Sequence, residues 1–411
     1  MTAPPVRRPR LLWVNHFAVT RDMGGGTRHV ELGRELTLRG WDVTLAASDF
    51  HLHHREYMRR TGATDRAPVR ETVDAVHIEW LWAAPYERND LRRVWNWLSF
   101  GRSLLADDLR GEAPDVVIGS TPHLFAAEAA RRLARRHAVP FILEVRDLWP
   151  ESLAVGGRIH GPGYWSLWML ARALYRSAHH IIVLARGVEE HLRRIGVAAS
   201  RITVVPNGVD VSAYNGTRSP PRDRLRLVYA GAHGPANGLD TVLDAAKLLR
   251  DEPRVSFLFI GDGPSKEALR QRARNLGLER VEFAEPVSKS GMPRVLADCD
   301  AGLMVLKDVP LFSYGVSPNK LFDYWGAALP VLNNVPGEVA GWVRSAAGGI
   351  QAAATADALA DGIRRLLAVP PDERRAMGER GRAWVEREHD RPVLAARLDA
   401  ALRPFLPGSL R

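Results

Sequence analysis

Apolar and polar positions along the chain alternate between short, almost wholly apolar runs and longer amphipathic stretches. Leu11 to Asn15, Trp41 to Ser48, Val116 to Gly119, Phe141 to Val145, Ile181 to Leu184 and Ile202 to Val205 read as strands buried on both faces. Helices are predicted between them, over Thr27 to Arg39 before Gly40 and over Leu124 to His137 before Pro140. Residues 210–224 are rich in Ser, Pro, Gly and Asn and read as a linker. The rhythm then restarts. Strands are predicted at Leu225 to Tyr229, Val255 to Ile260, Val281 to Ala284, Ala301 to Val305 and Pro330 to Leu332. Helices are predicted at Leu239 to Arg250, Ser265 to Gly277, Met292 to Ala297 and Pro318 to Ala327, with two more from Asp372 to Glu388 and Arg391 to Arg403. Two α/β domains follow, each a doubly wound parallel sheet, so chemistry is expected in the loops after the strands.

Composition narrows the picture slightly. A chain of 411 residues, 46% hydrophobic and 25% charged, is globular and long enough for two cores. The single cysteine, Cys299, excludes an internal disulfide and suits a reducing cytosol. Basic residues before the first apolar run resemble a leader, but Asn15 and His16 interrupt that run, and a first strand is the better reading. No stretch approaches the roughly 20 apolar residues of a membrane span. The net charge of +10 is carried almost entirely by arginine. It suits a polyanionic partner, although the same arginines could simply solvate helix faces. No nucleic-acid-binding motif accompanies the charge, so no nucleic-acid partner is expected.

Four strand-end loops could carry chemistry. In MGGGTRH, Met23 to His29, the glycines let a backbone approach a ligand, and a helix starts near Thr27. The spacing is not G-x-G-x-x-G, although Asp49 could imitate a ribose-binding acid; a flexible turn is the plain alternative. In EVRDLWPES, Glu144 to Ser152, Arg146 could clamp a phosphate or sugar hydroxyl and Asp147 could take an acceptor proton, or the charges could form an internal network. AGAHGPANGLD, Ala230 to Asp240, suits a pyrophosphate, with His233 on an oxygen or merely solvated. In the fourth loop Ser317 is a good N-cap, and Pro318 then falls at the first helical position. Asn319 and Lys320 follow in the first turn, where the helix dipole disfavours a lysine unless an anion sits nearby. Asp323 one turn on could hold two ribose hydroxyls; the alternative is an amphipathic helix with Lys320–Asp323 as a surface pair. Gly261 to Pro264 and Ala284 to Val287 are two more strand-end turns.

Taken together and in order, GGGTRHVELGRELTLRGWDVTLAASD, VVPNGVD, YAG, FIGDGP, VEFAEPV and SPNKLFDYWGAALPVL resemble the retaining family-4 glycosyltransferases of the GT-B fold over nearly the whole chain. EVRDLWPES and SPNKLFDY look most like the branch that includes N-acetylfucosamine-type transferases of surface polysaccharides. The resemblance implies two Rossmann-like domains facing a cleft, residues 1–205 completed by 385–411 on the acceptor side and 206–384 on the nucleotide-sugar side, with a C-terminal helix crossing back. It implies a UDP-sugar donor, a saccharide or lipid-linked acceptor, retention at the anomeric carbon, no metal and no other cofactor. By position, catalysis falls to Arg146, Asp147 and Lys320, and donor binding to Gly25, Gly26, His233, Gly234, Asp262, Gly263, Val287, Ser317, Asn319 and Asp323. The chain departs from the family where the first acid of E-x7-E falls on Gly315, where Arg146 replaces a histidine, and where no arginine follows Tyr-Ala-Gly.

Nine of the twelve tryptophans precede residue 170. Arg88 to Leu105 and Tyr164 to Arg176 mix aromatic and basic residues and suit peripheral contact with an anionic membrane, or else core packing. A cytoplasmic site, or the inner face of the plasma membrane, is expected. Two other readings stay open: a UDP-N-acetylhexosamine epimerase of the same fold, and a non-catalytic basic binding protein.

Overall fold

The computed structural model describes residues 7–23, 26–52, 54–62, 64–88, 90–107, 111, 113–155, 161–216, 219–220, 222–309 and 315–410. The chain forms two compact units. The first comprises residues 1–20, 26–206 and 394–411, and the second residues 21–25 and 207–393.

The first unit holds eight strands: β1 (Arg10–Val14), β2 (Asp42–Ser48), β3 (Val69–Val73), β4 (Val76–Leu81), β5 (Val116–Ser120), β6 (Phe141–Val145), β7 (His180–Val183) and β8 (Ile202–Val204). They lie in the order β3-β4-β2-β1-β5-β6-β7-β8, all parallel except β3, which pairs antiparallel with β4. Its helices are α1 (Arg28–Leu38), α2 (Leu91–Ala106), α3 (Leu124–Arg136), α4 (Glu151–Val155), α5 (Gly161–Ser177) and α6 (Arg186–Arg194). Trp13, Trp41 and Trp80 are fully buried in its core. The expected strands form to within about one residue at each end, because continuous apolar runs have no stable place but a sheet covered on both faces.

The β3–β4 hairpin departs from the sequence pattern. Val73 faces Val76, so the turn is Asp74–Ala75, and both residues hold left-handed backbones with φ of 50° and 64°. Two-residue hairpin turns ask for positive φ at both positions, which usually selects Asn-Gly or Asp-Gly. Alanine in the second position hides the turn from a composition reading.

The second unit has six parallel strands in the order β11-β10-β9-β12-β13-β14: β9 (Leu225–Ala230), β10 (Val255–Ile260), β11 (Val281–Ala284), β12 (Ala301–Met304), β13 (Val331–Asn333) and β14 (Gly349–Gln351). The helices are α7 (Leu239–Leu248), α8 (Lys266–Asn275), α9 (Met292–Ala297), α10 (Asn319–Gly326), α11 (Glu338–Ala346), α12 (Ala356–Ala368) and α13 (Pro371–His389), and α14 (Arg391–Leu402) leads into the C-terminus. Successive residues of β9 serve opposite cores: Leu227 and Tyr229 pack with α7 and α12, while Val228 packs with α10. The strand order reverses between β9 and β12, and ligands of open parallel sheets sit at such a reversal, beyond the carboxyl ends. Among the described residues no helix is long and apolar enough to cross a membrane.

Candidate nucleotide-sugar site

Helix α10 is fixed at that reversal by two contacts. A Cβ on Gly302 of β12 would lie 2.3 Å from the Tyr324 ring, so glycine alone lets α10 seat this closely. The Tyr324 hydroxyl then accepts the Ala230 amide at 2.8 Å, joining the helix to the end of β9. One turn earlier, Lys320 Nζ donates to the Tyr229 hydroxyl at 2.9 Å and lies 4.1 Å from that ring's centroid. The Tyr229 hydroxyl donates onward to the Ala232 carbonyl at 2.8 Å. Among the described residues no carboxylate lies within ion-pair distance of Lys320. Desolvation pushes its amine down to about 7. A cation held without a counter-charge in the first turn of a helix is unfavourable twice over, by burial and by the dipole. The surface pair with Asp323 does not form.

Asp323 instead accepts, on Oδ1, both the Lys289 amine and the Tyr214 hydroxyl, the latter at 3.0 Å. Lys289 comes from the loop after β11 and Tyr214 from the segment before β9, and neither partner is visible in the local sequence. Among the described residues Oδ2 accepts no hydrogen bond, so Asp323 offers a ligand one oxygen rather than two.

The expected cap of α10 is corrected. Helix α10 begins at Asn319, and Pro318, not Ser317, occupies the N-cap position, with no side-chain cap. Ser317 Oγ is taken by the Asn207 amide at 2.7 Å, and the Ser317 carbonyl by Asn207 Nδ2 at 2.8 Å. With no side chain capping them, the first amides of α10 stay available to an oxyanion. Asn319 is exposed beside them.

The loops after β9 and β10 interlock. The His233 amide donates to the Asp262 carbonyl at 2.8 Å, and a Cβ on Gly263, at φ of 153°, would lie 2.7 Å from the His233 carbonyl oxygen. The His233 side chain is not solvated. It is fully buried among Tyr229, Phe259 and Phe283, and among the described residues neither ring nitrogen has a hydrogen-bond partner. Burial, with the Lys266 charge beside it, lowers its pKa to about 4, so the ring is neutral at physiological pH. Gly234 and Val287 are half-buried and Asp262 is exposed along the same carboxyl edge.

Arg146, Asp147 and Gly26 belong to the first unit, and Gly25 lies outside the described residues. The charge at the end of β6 is largely an internal network, built by Glu144. Arg28 Nε and His29 Nε2 each lie 3.0 Å from its carboxylate, and Ser120 Oγ donates to it at 2.6 Å. Arg28 also donates to the Val205 and Pro206 carbonyls. Burial alone would raise the Glu144 carboxyl, but the Arg28 charge and then His29 hold it well below the usual range. Arg146 and Asp147 lie just beyond, anchored through their backbone amides to the Thr121 hydroxyl. Asp147 is exposed, yet desolvation by the surrounding protein raises its pKa. In the glycine loop, Thr27 Oγ1 donates to Glu31 at 2.6 Å, placing a carboxylate of the chain itself in the first turn of α1. Asp49 is consumed by Arg60 Nε at 2.6 Å and two backbone amides, which removes it as a dinucleotide ribose acid. Among the described residues no cluster of three or more His, Cys, Asp or Glu side chains could hold a metal.

The profile of the glycosyl transferase 4-like domain matches residues 23–208, and that of glycosyl transferases group 1 matches residues 224–369. WcaI of Escherichia coli K12, named as a glycosyl transferase of colanic acid biosynthesis, is 29% identical over 243 residues, covering 54% of this chain and 59% of its own length. The match thus spans about three-fifths of the curated relatives' length. Sucrose-phosphate synthase from Thermosynechococcus elongatus superposes with a TM-score of 0.74 at 16% identity, covering 97% of this chain and 99% of its own. Anabaena HepE, solved with UDP and glucose, gives 0.68 at 15%, covering 96% and 99%. These likenesses give the GT-B fold. With a 4-like domain followed by a group 1 domain along one chain, the protein belongs to the glycosyltransferases.

Proposed function

We propose that the protein transfers a sugar from a nucleoside diphosphate, UDP, to a hydroxyl of a saccharide acceptor, with the diphosphate seated on Lys320 and the first amides of α10. One observation carries the reading: the Lys320 amine is desolvated at the carboxyl edge of the sheet with no carboxylate among the described residues to balance it. A diphosphate would supply that charge, restore the protonated amine and fill the uncapped helix end. HepE, of the same fold, was solved with UDP bound, which supports the choice of base.

In the proposed reaction Lys320 stabilises the charge that develops on the leaving phosphate, where electrostatic stabilisation is most effective. Asp323 Oδ2 takes one ribose hydroxyl. The half-buried backbone at Val287 meets the base, and Gly234, Asp262 and Gly263 border the sugar and phosphates. Asp147, with its raised pKa, and Arg146 orient the acceptor hydroxyl. The acceptor attacks from the face the leaving phosphate departs, so configuration is retained and the phosphate takes the proton. No metal is required, since Lys320 and the helix amides provide the positive charge. An N-acetylhexosamine-type sugar, a lipid-linked saccharide acceptor and a cytoplasmic location complete the reading, in keeping with WcaI's naming for an exopolysaccharide.

The test is UDP release from UDP-sugars with and without lipid-linked saccharides, alongside the melting temperature with UDP. A UDP-dependent rise and acceptor-dependent release are expected. Acceptor-independent conversion to a new UDP-sugar would replace this reading with an epimerase. The absence of any nucleotide effect would leave a binding protein.

A further inference from the structure

Helices α2 and α5 both pack against α3, forming one helical layer of the first unit. Their outward positions are not those of ordinary surface helices. On α2 the stripe Leu91, Trp95, Leu98, Arg102 follows the i, i+4, i+7, i+11 spacing of a single face, with Leu91 84% and Trp95 49% exposed. On α5 the stripe is Trp165, Met169, Arg172, Arg176, with Trp165 58% and Met169 67% exposed. Neither helix contains a carboxylate, and the three helices together carry nine arginines against one glutamate. That glutamate, Glu128, is neutralised by Arg131 and Arg132. Just outside α2, Asp90 is spent as its N-cap and Asp107 pairs with Arg70. The arginines do not cover the rings from water. Arg172 sits 4.7 Å over Trp168, while its neighbour Trp165 stays exposed.

Large apolar side chains left in water are costly on one helix and unusual on two of the same layer. Exposed Trp, Leu and Met set among arginines, without acids, match the interface of an anionic bilayer, where the rings enter the headgroup boundary and the guanidinium groups meet lipid phosphates. We infer that the α2–α5 layer is a docking surface for an anionic lipid membrane. The charge argues against a second copy of the chain as the occupant, because facing layers would set arginine against arginine. The surface belongs to the first unit and the nucleotide site to the second, and neither proposal requires the other.

The test is co-sedimentation of the full chain with vesicles of equimolar phosphatidylglycerol and phosphatidylcholine, against phosphatidylcholine alone. Binding to the anionic vesicles only, weakening with added salt, is expected. Trp95→Ser with Trp165→Ser, and separately Arg172→Glu with Arg176→Glu, should each lower partitioning on the order of tenfold. Both variants should keep the wild-type melting temperature and its rise with UDP, since none of these residues is buried or belongs to the unit that carries the nucleotide site. No wild-type binding, equal binding to both vesicles, or binding that both folded variants retain would overturn the inference. So would sedimentation velocity showing a dimer that the same variants dissociate. Vesicle binding without a UDP effect would sustain this surface and sink the nucleotide site.

Discussion

The strand-end charges of the two units are arranged in opposite ways. In the first unit Glu144 is fully buried and fully answered, by Arg28, His29 and Ser120, while Arg28 is answered again by two carbonyls. In the second, among the described residues, Lys320 is desolvated and answered only by the Tyr229 hydroxyl and ring, and His233 is buried with both nitrogens unpaired. A satisfied network holds the fold and gains nothing from a ligand. An unsatisfied one is destabilising in the free protein and is relieved when a ligand of the right charge arrives. On the proposed function, the contrast separates residues that build the protein from residues that await a substrate.

The sharpest way to break the comparison is Glu144→Ala. It should cost about 3–5 kcal/mol in urea unfolding, because Arg28 is left as a buried charge without its counter-ion. UDP affinity of the molecules that remain folded should be unchanged. A loss below about 1 kcal/mol would place Glu144 among the weakly coupled groups. Lys320→Met should do the reverse. Unfolding free energy should hold steady or rise, while UDP affinity falls by about 2 kcal/mol, roughly thirtyfold, in calorimetric titration. Destabilisation with unaltered affinity would make Lys320 a structural residue. A smaller effect is expected at Asp323. Asp323→Asn should weaken UDP by about 1 kcal/mol, and should not weaken 2′,3′-dideoxy-UDP further, because only one carboxylate oxygen is offered to the ribose. Equal losses for the two nucleotides would remove the ribose contact.

Much of this contrast was legible in the sequence, and the rest was hidden for physical reasons. The strands of both sheets follow from their apolar runs, and the lysine misplaced for the helix dipole marked α10. Long-range partners left no local trace. Asn207 takes the Ser317 hydroxyl from 110 residues away, and Lys289 reaches Asp323 across 34. Each diverts a group whose nearest sequence neighbours suggested a cap or a surface pair. For His233 the sequence leaves a donor oxygen or solvent as the partner, because its burial arises from Phe259 and Phe283 on neighbouring strands. The aromatic segments of the first unit divided in a way composition could not foresee. Trp13, Trp41 and Trp80 are core, whereas Trp95 and Trp165 are exposed.

The proposed seating of a diphosphate on Lys320 has a direct pH signature. Its folded pKa of about 7 lies below the ordinary 10.5, so between these values the unfolded chain binds more protons than the folded one. Holding the amine thus costs stability below about pH 7, and that cost is relieved as pH rises toward the unfolded value. A bound diphosphate should raise the amine back toward its ordinary pKa, so binding above about pH 7 must take up a proton. Calorimetric titration with UDP at about pH 8, in buffers of different ionisation enthalpy, measures that uptake. Uptake approaching one proton per UDP is expected in the wild type and none in Lys320→Met. Equal uptake in both proteins, or none in the wild type, would contradict that seating.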